Sequence, residues 1–202
     1  MTGAAFLAGA GFLAGAVALF AAGLRGMAIS AIALGLGLGA VASLATGAAG
    51  FGVLAALGVG FGVLVLAGSW LPWLDWGVKL LGSAPVTLQQ RVFGLRSLRA
   101  ILGAAGLFTA RLLSGHLAAG TVATQGPAFA CLFVFEVGLI RIGTGRGPAD
   151  LGLGGLCAGM GGAAFLLLSL PESSLLAAAL VAGAPALGLF AVARGTPWEA
   201  AK

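Results

Sequence analysis

Continuous apolar runs, each close to twenty residues long, constrain the fold of this chain more than any other feature. An α-helix needs about 20 mostly apolar residues to cross the hydrocarbon core of a bilayer. Of the 202 residues, 60% are hydrophobic and only 7% are charged, and the mean hydropathy is +1.15. Soluble domains carry roughly 25% charged residues, so this composition cannot cover a water-facing surface. The sequence therefore predicts an all-α, polytopic membrane protein.

The runs predict seven transmembrane helices. A β-barrel is disfavoured, because barrel strands alternate apolar and polar residues at period two. No basic region precedes the first run, so we predict a retained helix there and not a cleaved signal. The predicted helices cover residues 4–23, 27–46, 51–68, 98–118, 121–142, 149–168 and 174–193.

A longer polar segment, residues 69–97, separates the third and fourth helices. It begins with three tryptophans within seven residues, a pattern typical of an anchor at the membrane interface: Trp70, Trp73 and Trp76. Mixed apolar and basic residues follow, so we expect part of the segment to lie as a helix in the interface plane. Two units are predicted, residues 1–97 with three helices and residues 98–202 with four.

The charges provide a test of the helix count. With seven helices, nine of the ten basic residues fall on one face, the other face receives Glu172, and Arg111 lies inside a helix. Merging or dropping one helix would scramble this segregation. The positive-inside rule then places the N-terminus outside and the C-terminus in the cytoplasm. The nine are Arg25, Lys79, Arg91, Arg96, Arg99, Arg141, Arg146, Arg194 and Lys202.

No combination of residues predicts an active site on this chain. It has one histidine, two isolated cysteines and no acidic pair at helical spacing. Cys131 and Cys157 lie inside predicted helices without CxxC spacing, which favours small apolar residues over a metal or disulfide pair. We expect no cofactor and no metal. The net charge of +5 belongs to one membrane face, so it does not indicate nucleic-acid binding.

Three polar residues lie inside predicted helices: Arg111, His116 and Glu136. An ionised side chain at a helix centre costs about 2.5–3.5 kcal/mol on insertion scales, so such residues usually face a bundle interior, a cavity or another subunit. One interpretation is a proton or ion path, with His116 and Glu136 titrating beside Arg111. The other is structural, with Arg111 pairing with Glu136 and His116 lying at the outer interface. The sequence leaves both open.

The last three helices resemble the small three-helix membrane subunit of respiratory complex I and its relatives in multisubunit cation/proton antiporters. The resemblance lies in a helix ending in a basic turn, a glycine-rich second helix and an alanine-rich third helix ending in Arg194. The segments are Leu139-Ile-Arg141 to Arg146-Gly-Pro148, Gly155-Leu-Cys157-Ala-Gly-Met160-Gly-Gly162 and the run 177–184. In length, in its Met-Thr-Gly start and in the long loop after the third helix, the whole chain resembles the seven-helix component E of hydrogenase-4 and formate-hydrogenlyase-type complexes.

Two positions depart from that pattern. The family carries a proton-conducting glutamate in the sixth helix, and the matching position here is Met160, followed by Gly161-Gly162. Component E also carries a lysine in its third helix, whereas residues 51–68 have no charge. The resemblance therefore implies a copy with a reduced or lost proton relay. Glu136, one helix away, is the candidate substitute.

The resemblance implies a function at the level of an assembly. We expect a non-catalytic, multi-pass subunit of the cell (inner) membrane in a complex-I-like, ion-translocating redox complex of the membrane-bound hydrogenase or formate-oxidising type. Its expected partners are the lipid bilayer and other membrane subunits, including an antiporter-like one. A self-contained transporter or channel is the alternative, with Pro127 and Pro185 as candidate helix interruptions. A scaffold in another energy-transducing membrane complex is a third interpretation.

Overall fold

The computed structural model describes residues 3–70, 88–117, 122–145, 148–169 and 178–184. Six long helices make up most of this part of the chain, and residues 178–184 form a further helical segment, α7. Each of the six includes a stretch long and apolar enough to cross a membrane. The six helices are α1 (Gly3–Phe20), α2 (Gly23–Thr46), α3 (Ala48–Trp70), α4 (Leu88–Leu117), α5 (Val122–Thr144) and α6 (Pro148–Ser169).

The predicted helices agree with the observed ones within a few residues, apart from the start of α4. Residues 88–97, the end of the polar segment 69–97, form the first turns of the same helix that continues to Leu117. Gly94 is the one weak helix former in this stretch, and a single internal glycine costs only about 1 kcal/mol.

Residues 71–87, with two of the anchor tryptophans, lie outside the described residues, as do most residues of the predicted seventh helix and the basic tail.

Four helices form the centre of the bundle, and two flank it. α1 packs against α2 and α5, α6 packs against α2 and α5, α3 covers the outer side of α2, and α4 covers the outer side of α5. α6 is the most enclosed helix, with 72% of its apolar stretch buried, against 28% for both α3 and α4. The large apolar side chains on the exposed faces of α1, α3 and α4 therefore point away from the chain's own core.

Glycine lets two helix pairs approach closely. A Cβ on Gly58 of α3 would lie 2.5 Å from the Ala31 carbonyl oxygen and from the Gly35 Cα of α2. A Cβ on Gly161 of α6 would lie 2.6 Å from the backbone nitrogen of Phe135 in α5. Small residues are what membrane helices use to bring backbones together. The glycines at these positions therefore set the spacing of α2 with α3 and of α5 with α6.

The contacts between helices show which helix ends meet. The carbonyls of Ala18 and Ala21, at the end of α1, contact Arg141 at the end of α5. Arg99 of α4 contacts Thr144 of α5 and Asp150 at the start of α6. One end of the bundle, called here the basic end, therefore collects the end of α1, the start of the apolar part of α4, the end of α5 and the start of α6.

Candidate functional site

Four polar side chains meet inside the basic end and form what we call the arginine–aspartate cluster: Arg99, Arg141, Thr144 and Asp150. Arg99 Nη2 lies 2.6 Å from Asp150 Oδ2, and Arg141 Nη2 donates to Asp150 Oδ1. Arg99 Nε also donates to the Thr144 hydroxyl oxygen, at 3.0 Å. Each oxygen of the one carboxylate is thus held by a different arginine.

Local sequence explains why these side chains reach each other. Arg141 lies in the last turn of α5, and Asp150 lies in the first turn of α6, where an anionic side chain is favoured by the positive end of the helix dipole. Only residues 145–147 separate the two helices in sequence, so the two charges are brought together from neighbouring helix ends. Arg99 then reaches the same carboxylate from α4.

Arg141 also binds the end of α1. Its Nη1 donates to the Ala18 carbonyl, and Nη1 and Nη2 each lie 3.2 Å from the Ala21 carbonyl oxygen. The last carbonyls of a helix have no partner inside that helix and form the negative end of its dipole. The guanidinium therefore satisfies carbonyls at the end of α1 while it pairs with Asp150.

The cluster is buried: Arg141 is 0%, Arg99 6% and Asp150 8% exposed. Among the described residues, its ion pairs are the only ones, and Nε of Arg141 is the one buried side-chain polar atom without a partner. Breaking a buried pair by removing one partner costs about 3–5 kcal/mol, because an uncompensated charge is left behind. These contacts connect α1, α4, α5 and α6 at the basic end.

Glu136, the acidic residue of the predicted intramembrane polar set, lies elsewhere, at the α4–α5 contact. The Thr109 hydroxyl of α4 lies 2.6 and 2.7 Å from its two carboxylate oxygens. Gly106, one turn earlier on α4, makes room for the carboxylate, since a Cβ there would lie 2.7 Å from Oε2. Glu136 is only half-buried, and Thr109 is exposed. The carboxylate is therefore held at the rim of the chain.

Arg111 and His116 do not join Glu136. Both lie on exposed parts of α4. Within the described residues, neither forms an ion pair with Glu136, whose side-chain partner is Thr109. The structure thus separates the three residues that the sequence grouped as one intramembrane polar set.

The centre of α6 is apolar. Met160, at the position where the resemblance places a relay glutamate, is fully buried. Cys131 and Cys157 are buried, free and part of the same core. Among the residues that the structure describes, no three His, Cys, Asp or Glu side chains come together. From Leu151 to Ser169, α6 contains no carboxylate.

The sequence did not predict a role for Asp150 or Thr109. It placed Arg99 and Arg141 only among the basic residues on one membrane face. A signal for the cluster existed: the alternating helix directions put Arg99, Arg141 and Asp150 at the same end. No comparable signal existed for Thr109. Its contact with Glu136 depends on how α4 is rotated about its axis.

A scan against protein-family models and searches of curated proteins and of solved structures found no match for this chain.

Proposed function

We propose that this chain is a multi-pass subunit of the cell inner membrane in a complex-I-like, ion-translocating redox complex of the membrane-bound hydrogenase or formate-oxidising type. In this proposal it carries no active site, and the redox centres lie on other subunits. It packs against an antiporter-like subunit and completes the membrane arm beside the ion path. The N-terminus lies outside, and the basic end faces the cytoplasm.

The observation that carries the proposal is the position of Glu136. It lies eight residues before Thr144, the last residue of α5, or about 12 Å along the helix axis. A charged side chain at the centre of a membrane helix costs about 2.5–3.5 kcal/mol when lipid surrounds it. Among the described residues, the Thr109 hydroxyl is the side-chain partner of both carboxylate oxygens, and Glu136 is only half-buried. A neighbouring subunit that covers this face removes the cost.

The apolar interior supports a position beside an ion path. Met160, Leu156 and Leu153 fill the centre of the bundle along α6, and all three are buried. A proton relay needs titratable or hydrogen-bonding groups in sequence. The described core offers such groups mainly in the arginine–aspartate cluster, where both carboxylate oxygens are already engaged. The path would therefore run through the partner, with Glu136 at its border.

A self-contained transporter has less support. Such folds bind substrate near the membrane midplane at interrupted helices. Pro127 lies inside α5, but the helix runs without interruption from Val122 to Thr144. Pro185 lies outside the described residues.

The test is purification of the tagged, full-length chain from its native membranes in a mild detergent. We expect an antiporter-like subunit and a redox subunit to co-purify at fixed stoichiometry. A stable monomer with neither subunit would overturn the proposal. The chain reconstituted alone in liposomes should show no ion flux, and flux from the chain alone would favour the transporter interpretation.

A further inference from the structure

An open pocket of about 150 Å³ lies beside the arginine–aspartate cluster at the basic end. A water molecule occupies about 30 Å³ in the liquid, so the pocket has room for several waters or for a small anion. Its walls come from the α1–α2 turn, the beginning of α2, one side of α4 and the start of α6. The lining residues are Phe20, Ala21, Ala22, Gly23, Met27, Arg96, Arg99 and Asp150.

The charge around this pocket is positive. Arg96 and Arg99 both line it, and Arg141 lies behind Asp150. Among the described lining residues, Asp150 is the one carboxylate, and both of its oxygens are already engaged by Arg99 and Arg141. Three guanidinium groups against one carboxylate leave two positive charges. Arg96 is exposed, and it takes no part in the ion pairs of the cluster.

The start of α2 lies at the same place. α2 begins at Gly23, and its N-cap residue Ala22 provides no side-chain hydrogen bond. The first N–H groups of a helix lack intrahelical acceptors and carry the positive end of its dipole. Gly23 has a φ of +72°, which glycine accepts readily and which sets the sharp turn from α1. The start of α2 and two arginines thus line one pocket.

Apolar side chains form the other part of its lining. Phe20, 47% exposed, ends α1, and Met27 lies one turn into α2. A lining that combines arginine and apolar side chains matches a ligand that has an anionic head and hydrocarbon chains. Basic pockets between membrane helices bind the head groups of anionic lipids in this way.

We propose that the pocket binds the phosphate of an anionic phospholipid, such as phosphatidylglycerol. The phosphate oxygens accept hydrogen bonds from Arg96, Arg99 and the first amides of α2, and the acyl chains run along the apolar face beside Phe20. This requires the basic end to lie at a membrane surface, but it requires none of the partner subunits of the proposed complex. A lone chain in detergent should therefore bind the lipid even if the proposed complex does not exist.

The test is an equilibrium titration of the delipidated, full-length chain in a neutral detergent with phosphatidylglycerol carrying a fluorescent acyl chain. We expect phosphatidylglycerol to bind more tightly than phosphatidylcholine with the same label. Arg96→Gln should weaken phosphatidylglycerol binding about fivefold, the effect of removing one cation near an anionic head group. Displacement by inorganic phosphate at constant ionic strength would assign binding to the phosphate alone. Displacement only by unlabelled phosphatidylglycerol would assign it to the whole lipid.

Arg25→Gln is the matched control. Arg25 is exposed in the first turn of α2, close to the pocket in sequence, but it does not line the pocket. It should leave phosphatidylglycerol binding unchanged. Equal binding of the two lipids by the unmodified chain would overturn the proposal, as would equal weakening by Arg25→Gln and Arg96→Gln. Because both arginines are exposed, both variants should keep the helical circular dichroism and melting behaviour of the unmodified chain.

Discussion

Two acidic residues of the helices, Asp150 and Glu136, differ in burial and in the partners of their carboxylates. Asp150 is buried, and each of its oxygens is held by an arginine of the same chain. Glu136 lies at the rim, and a single threonine hydroxyl approaches it. A charge that is satisfied within the chain contributes to its architecture. Under the proposed function, the charge left at the perimeter of the bundle is covered by a neighbouring subunit.

The comparison predicts that the isolated chain depends on Asp150 and not on Glu136. Asp150→Asn leaves Arg99 and Arg141 buried without their counter-charge. It should lower the free energy of unfolding by about 3–5 kcal/mol, as for other broken buried pairs. Reversible unfolding in mixed detergent micelles, followed by circular dichroism, measures this. Replacing Arg99, Arg141 and Asp150 together with apolar residues should recover part of the loss, whereas full stability of Asp150→Asn would contradict the architectural role.

Disrupting the glycine contact between α2 and α3 should cause a smaller loss of unfolding free energy. This contact lies apart from both acidic residues. Gly58→Ala places a methyl group 2.5 Å from the Ala31 carbonyl oxygen, so the two helices must move apart. Overpacking of this kind costs about 1–3 kcal/mol. Gly60→Ala is the control, because nothing lies within 4 Å of the Cβ it would add. The same unfolding assay should show a loss for Gly58→Ala only, and equal behaviour of both variants would exclude close backbone packing as the cause.

Glu136→Gln should change the isolated chain little, because glutamine can still accept a hydrogen bond from Thr109. We expect a change in unfolding free energy within about 0.5 kcal/mol, the range for surface positions. The yield of co-purified partner subunits from native membranes should fall instead. If the isolated chain loses as much stability with Glu136→Gln as with Asp150→Asn, the contrast between the two sites is wrong.

Arg111→Gln should have the smallest effect. Arg111 is exposed on α4, and within the described residues its side chain forms no ion pair. We expect the melting temperature and the yield of co-purified subunits to match those of the unmodified chain. A loss of partner subunits as large as that of Glu136→Gln would place Arg111 in the same interface.

Helix positions could be predicted from this sequence because the apolar runs are long and bounded by glycine and charge. The six long helices lie close to their predicted positions, and the exception, the start of α4, shows the limit. Residues 88–97 mix polar and apolar residues, so composition alone did not distinguish an interfacial helix from the first turns of a longer one. The structure shows that these residues are helical, and their position at a membrane interface stays a prediction.

Side-chain partners were harder to predict. Helix directions place Arg141 near Asp150, but only packing shows that Arg141 is buried and binds carbonyls at the end of α1. The pairing of Glu136 with Thr109 depends on helix rotation, and neither α4 nor α5 has a strongly separated apolar and polar face. Amphipathic pattern, which fixes rotation in soluble helices, therefore carries little information here.

Site-specific photo-crosslinking beside Glu136 shows whether a partner subunit covers this face of α5. Leu139 is 50% exposed and lies three residues after Glu136, so the two residues share a helix face. A photoreactive residue at position 139, activated in native membranes, should crosslink to an antiporter-like subunit of a redox complex. Crosslinks to lipid alone, from a chain that also purifies alone, would contradict the account.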